Sequence, residues 1–169
     1  TGINSVKVSP KEDQESLFIG YIVRKLLDHS KTVDEAIMLV GNYIPFDLSL
    51  TQINCHFFVS DASGKSVILE YQDNEWKKSY PTKNWQVMTN NVIKDVPDTQ
   101  LRKKCWRYGT ISGLLDKTNG DVNRNEGMEL LKNVSQDGTT WSVIYLPNSN
   151  EIYFSVYQSW DKIYHIQDL

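Results

Sequence analysis

The chain has 169 residues, 40% of them hydrophobic and 23% charged, and a formal net charge of -3 at pH 7. That is enough apolar content for one globular unit with a buried core, expected to span residues 1–169. The basic residues are dispersed rather than gathered into a stripe, so no nucleic-acid partner is expected. No apolar run approaches the roughly 20 residues needed to cross a bilayer, and the N-terminus lacks the basic-then-apolar order of a secretory signal. No membrane span is expected, and the compartment stays open.

Residues 1–8 carry β-branched side chains in partial alternation and stop before Pro10, which predicts a short strand. From residue 15 to 27 the apolar positions Leu17, Ile19, Ile22, Val23, Leu26 and Leu27 recur mostly at three and four, the spacing of one helical face. Asp28-His29-Ser30 closes that helix. Thr32-Val33-Asp34-Glu35 is a capping box, so a second helix runs from it to about Val40, and Gly41 stands where a left-handed cap is needed. Two β-prone runs, residues 55–60 and 66–71, flank the turn Asp61-Ala62-Ser63-Gly64-Lys65 and predict a hairpin. Further strands are expected at 75–80 and 85–88. Asp98 is a candidate cap for a helix over 99–115, and a shorter helix fits 125–131. Three strands, at 140–146, 151–158 and 162–167, complete the chain. Segregated runs of strands and helices joined by hairpins predict an α+β fold with antiparallel sheets.

General motif reading returns little chemistry. No Gly-rich phosphate loop, zinc spacing or paired-cysteine motif is present, so no cofactor or metal is expected. His29, His56 and His165 fall on different elements and read as packed side chains. Cys55 and Cys105 are too few for a disulfide framework, although one bridge between them is compatible with the sequence. Cys55 and His56 are neighbours on a strand and point to opposite faces, so they do not make a thiol and base pair. Both cysteines read as structural. A terminal Thr1 could act as a nucleophile with its own α-amine as base, but residues 1–8 read as a strand.

Four blocks, taken together, resemble the choloylglycine hydrolase and penicillin acylase superfamily. Gly2-Ile3-Asn4 resembles the Gly-Leu-Asn that ends an early core strand there. Ile22-Val23-Arg24-Lys25-Leu26-Leu27 followed by Thr32-Val33-Asp34-Glu35-Ala36 resembles its helix pair. The third block is the most specific: the hairpin from His56 to Glu70, with Asp and Gly in its turn, followed by Val87-Met88-Thr89-Asn90-Asn91. The fourth is Cys105-Trp106-Arg107-Tyr108 with the closing hairpin Thr140-Trp141-Ser142-Val143-Ile144-Tyr145 and Ile152-Tyr153-Phe154. One departure concerns the residue after Thr-Asn, which in bile-salt hydrolases is closely followed by Pro. Here Val92 and Ile93 intervene well before Pro97.

The resemblance implies part of an N-terminal-nucleophile (Ntn) hydrolase, an αββα four-layer sandwich with antiparallel sheets, cleaving linear amide C–N bonds. In that family an N-terminal cysteine attacks the amide carbonyl with its own α-amine as base. By motif, Asn4 and Asn90 match the oxyanion-hole asparagines, and Arg107 matches the arginine that supports the nucleophile region. On their own residues, these asparagines read as turn formers and the arginine as a solvated or ion-paired side chain. The family's cysteine lies upstream of the Gly-Leu-Asn strand, at which this chain begins. The expectation is therefore a C-terminal portion, inactive alone, that needs an N-terminal segment or chain as partner. Its expected substrate is a small amphipathic N-acyl amide such as a bile-salt conjugate, a penicillin side chain or a fatty-acid amide. A sheet edge left open would favour a homo-oligomer. The competing reading is a noncatalytic binding or structural module derived from the same fold.

Overall fold

A computed structural model of the chain describes residues 14–46 and 55–167. The predicted first strand, and with it Thr1 and Asn4, lies outside the described residues. Those described gather into two compact units, the first with residues 14–46, 55–81 and Val92–Asp95, the second with Thr82–Asn91 and 96–167.

In the first unit the predicted 15–27 helix divides. Glu15–Phe18 is a strand, β1, and the helix α1 begins only at Ile19 and ends at His29. The cause is a long-range pairing: β1 runs parallel to β2, Tyr43–Phe46, in the register Glu15↔Tyr43 to Phe18↔Phe46. This parallel pair is an exception to the expected antiparallel sheets. Ile22 and Leu26, four apart on α1, are the residues that the helix buries. The capping box forms as read: Thr32 Oγ1 accepts from the Glu35 N–H at 3.2 Å and the Glu35 carboxylate accepts from the Thr32 N–H at 3.3 Å, starting α2, Val33–Val40. Gly41 is right-handed, with φ -59°, rather than a left-handed cap, because the chain passes straight from the helix into β2.

Strands β3 (His56–Ser60), β4 (Ser66–Gln72) and β5 (Glu75–Ser79) form an antiparallel sheet with β4 central. Val67 and Leu69 of β4 join Ile22, Leu26, Val33, Ala36, Val40 and Tyr43 in one core. Fully burying a side chain of this size contributes about 1.5–3 kcal/mol. The hairpin turn is tied to α2 as well: Asp61 Oδ2 accepts the Val33 N–H at 2.9 Å, a carboxylate placed at the positive end of the helix.

The second unit opens with residues 85–88, expected as a strand. They are not in a sheet, having no ladder partner among the described residues. The single helix expected over 99–115 is two, α3 (Asp98–Lys104) and α4 (Trp106–Thr118), separated by Cys105 in an extended conformation, φ -134° and ψ 109°. Asp98 does not cap α3, since Pro97 holds that position. Its carboxylate instead receives Arg102 Nε at 2.6 Å and the Tyr108 hydroxyl at 3.0 Å, joining the two helices. Asn119, with φ 53°, ends α4 left-handed, and Gly120, with φ 82°, follows it so closely against Asn84 that a Cβ there would sit 3.0 Å from the Asn84 carbonyl oxygen.

Helix α5 runs Arg124–Asn133 and starts at a second capping box, Asn123 with Glu126. It packs against the antiparallel sheet β6 (Trp141–Leu146), β7 (Glu151–Val156) and β8 (Tyr164–Ile166). A Cβ on Gly127 would come within 2.9 Å of Ile144 Cδ1, the movable end of that side chain. Strand β7 stops short of residue 158 because Tyr157 and Gln158 take positive φ, 48° and 57°. Among the described residues, no helix is long and apolar enough to cross a membrane.

Candidate active site

Asn90 and Arg107, singled out separately in the sequence, meet in the second unit. Arg107 is the second residue of α4, and its Nη2 donates to Asn90 Oδ1 at 3.4 Å. A cation in a first helical turn gains nothing from the helix dipole, so its placement there is explained by what its side chain reaches. With the Asn90 amide oxygen turned to the guanidinium, the Asn90 NH₂ is left as a donor toward other groups, on the assignment of oxygen and nitrogen that the hydrogen bond supports. Asn91, the equally placed neighbour, instead donates its Nδ2 to Thr89 Oγ1 at 3.4 Å. Asn4 lies outside the described residues.

Sequence reasoning missed the two residues beneath this pair, Thr89 and Cys105, both buried. Cys105 is the N-cap position of α4. Burial acts to raise its thiol. The Tyr108 N–H, the Thr89 side chain, the Arg107 N–H and the Arg107 charge together outweigh that and leave it below the ordinary thiol range. Cysteine is not a habitual cap, so nothing in the local sequence signals this role.

In the first unit the notable group is Glu70. It is 2% exposed in the middle of β4, and its carboxylate accepts the Ile93 N–H at 2.9 and 3.1 Å and the Lys94 N–H at 2.6 Å. His56, opposite it on β3, brings Nδ1 to 3.7 Å. The signal available in the sequence was a single charge inside the apolar run Val67-Ile68-Leu69-Glu70-Tyr71. Cys55 is half-buried, and burial pushes its thiol up to about 12, so it stays protonated at neutral pH. Both cysteines are free, with no bridge between them.

A family model for linear amide C–N hydrolases of the choloylglycine hydrolase family matches residues 1–104. Penicillin V acylase from Pectobacterium atrosepticum is 32% identical over 97 residues, which is 53% of this chain and 25% of that protein. Among solved structures, a cysteine-to-alanine mutant of conjugated bile acid hydrolase from Clostridium perfringens superposes with a TM-score of 0.71 at 13% identity, covering 94% of this chain and 64% of that one. Penicillin V acylase from Agrobacterium tumefaciens superposes with a TM-score of 0.68 at 20% identity, over 94% of this chain and 58% of that one. At these identities the structural likeness shows the fold, that of the Ntn hydrolases. The match spans a quarter of the curated relative and about three-fifths of the solved chains. With the family model covering more than half of its length, the chain belongs to the choloylglycine hydrolase family of linear amide C–N hydrolases.

Proposed function

We propose that these 169 residues supply the oxyanion-stabilising side of an amide hydrolase whose nucleophilic cysteine comes from sequence outside them, the whole chain being a C-terminal portion of one Ntn-hydrolase domain. The observation that carries the reading is the 3.4 Å contact of Arg107 with Asn90, in a chain of this family. In the proposed reaction a cysteine thiol attacks the amide carbonyl, its proton passing to the α-amine of the same residue. Charge gathers on the carbonyl oxygen, and the Asn90 NH₂ donates to it. Arg107 acts through Asn90, fixing the amide so that the nitrogen, not the oxygen, faces the developing charge. The C–N bond then breaks, the amine leaves with the proton, and water hydrolyses the acyl-enzyme. Asn4 is proposed as a second donor on its motif alone.

The chain's own cysteines support an external nucleophile. Cys55 is held protonated, and Cys105, although its thiol is lowered, is only 7% exposed. The proposed substrates are small N-acyl amides, on the names of the relatives, a penicillin V acylase and a conjugated bile acid hydrolase. Self-association belongs to the same reading, because β6, an edge strand among the described residues, presents exposed Trp141 and Tyr145. Light scattering that finds only monomer at every concentration would remove that part.

The test is hydrolysis of penicillin V and of a glycine-conjugated bile salt by two proteins: the 169-residue chain, and the chain joined to the coding sequence upstream of it. The reading predicts turnover only where a cysteine-bearing segment is joined. Turnover by the shorter chain with Thr1 unmodified overturns it. An upstream sequence that offers no cysteine favours the noncatalytic module.

A further inference from the structure

A second concave site lies in the second unit, away from the Asn90 and Arg107 pair in sequence and built from different elements. It has a volume of about 330 Å³ between one face of α5 and strands β7 and β8 with the segment that joins them. The α5 face reads Arg124, Met128, Lys132, a cation, an apolar residue and a cation at four-residue spacing, which brings all three to one side of the helix. Opposite them are the rings of Tyr153, Trp160 and His165.

These walls are held in place. The Tyr153 and His165 rings stack in parallel, 4.3 Å apart and 2° from coplanar, and both are tied to Glu151: the Tyr153 hydroxyl donates to Oε1 at 2.7 Å, and His165 Nε2 lies 3.0 Å from the same oxygen. The Arg124 guanidinium lies 4.8 Å from the centre of the Tyr153 ring and donates from Nε and Nη2 to Asn125 Oδ1. Its charge is not neutralised: among the described residues no carboxylate pairs with Arg124. Lys132 has only Glu129, at 3.8 Å. The site therefore pairs the unpaired charge of Arg124, and the charge of Lys132 that only Glu129 offsets, with the tied rings of Tyr153 and His165 and the apolar side chain of Met128.

We propose that this site binds a small anion carried on a flat aromatic body, an aromatic carboxylate. The carboxylate would take the charge of Arg124 and Lys132, and the ring would lie against Trp160, Tyr153 and Met128. Arginine suits this because its planar fork meets a carboxylate through two N–H groups while its own face rests on a ring. A neutral ligand of the same shape would gain the stacking but not the charge pairing, and an aliphatic anion the reverse.

Calorimetric titration of the whole chain with 2-naphthoate and with 2-naphthamide tests this, with the Trp160 indole N–H followed by NMR. Naphthoate should bind with a Kd of the order of 1 mM or below and shift the Trp160 signal, and the amide should bind at least about tenfold more weakly. The double variant Arg124→Gln, Lys132→Gln should lose about tenfold in naphthoate affinity, whereas Lys103→Gln, on α3, should lose none. Matching circular dichroism spectra check that the variants fold. Equal affinity for acid and amide, undiminished affinity in the double variant, or no shift of Trp160 at about 10 mM naphthoate overturns the proposal.

Discussion

Strands β4 and β6 are similar in length and composition but sit in opposite circumstances. β4 is the centre of its sheet, with Val67 to Tyr71 buried without interruption, so no face of it meets water. β6 is an edge strand among the described residues, pairing only with β7, and it turns Trp141 and Tyr145 outward at 69% and 66% exposure. The contrast shows how burial changes what a polar or aromatic residue has to do. Glu70 in β4 is tolerated because its carboxylate is filled by two backbone N–H groups, whereas the β6 aromatics, opposite Val156 and Ile152, stay largely in contact with water.

The sharpest way to break this comparison is Glu70→Ala. It leaves the Ile93 and Lys94 amides without their acceptor and opens a void, so the unfolding free energy should fall by about 3–4 kcal/mol in urea titration. A loss under about 1 kcal/mol would mean the carboxylate is not the anchor described. A second test uses Cys55, which adjoins β3. Its thiol loses its proton at about 12 in the folded chain against 9.0 for the ordinary group, so the folded state holds the proton longer as pH rises. Stability from this group is complete below pH 9.0 and is lost as pH climbs toward about 12. Cys55→Ala should flatten the slope just above pH 9.0, before the tyrosines titrate. In the second unit, Asn123→Ala should remove the capping box of α5 and cost about 1 kcal/mol. At the small end, Trp141→Ala on the exposed face of β6 should change stability by less than about 0.5 kcal/mol at a dilution where light scattering finds only monomer, and by more where the chain self-associates.

Features that depend on residues close in the chain were legible beforehand. The Thr32 capping box, the 56–72 hairpin and the closing β6–β7 hairpin each rest on local spacing and turn chemistry, and each formed. What failed to read depended on distant partners. Residues 15–18 share the helical spacing of α1 but are drawn into β1 by Tyr43–Phe46, a pairing that periodicity does not encode. β2 itself was not foreseen, its Pro45 marking it as a poor central strand. The break at Cys105 carries neither Gly nor Pro, and so the sequence presented α3 and α4 as one helix. The contact within the candidate site was hidden for the same reason. Asn90 and Arg107 could be named from their motifs, 17 positions apart, but their contact arises from the way α4 starts anew at Cys105.

The proposal that Asn90 donates to the reacting oxygen is tested most directly by steady-state hydrolysis of an N-acyl amide by the chain joined to a cysteine-bearing upstream segment, comparing Asn90 with Asn90→Ala. A missing oxyanion donor should lower kcat by about 10²–10³ with little change in KM and no change in the thermal midpoint. Turnover by the alanine variant equal to that of the parent would contradict the account.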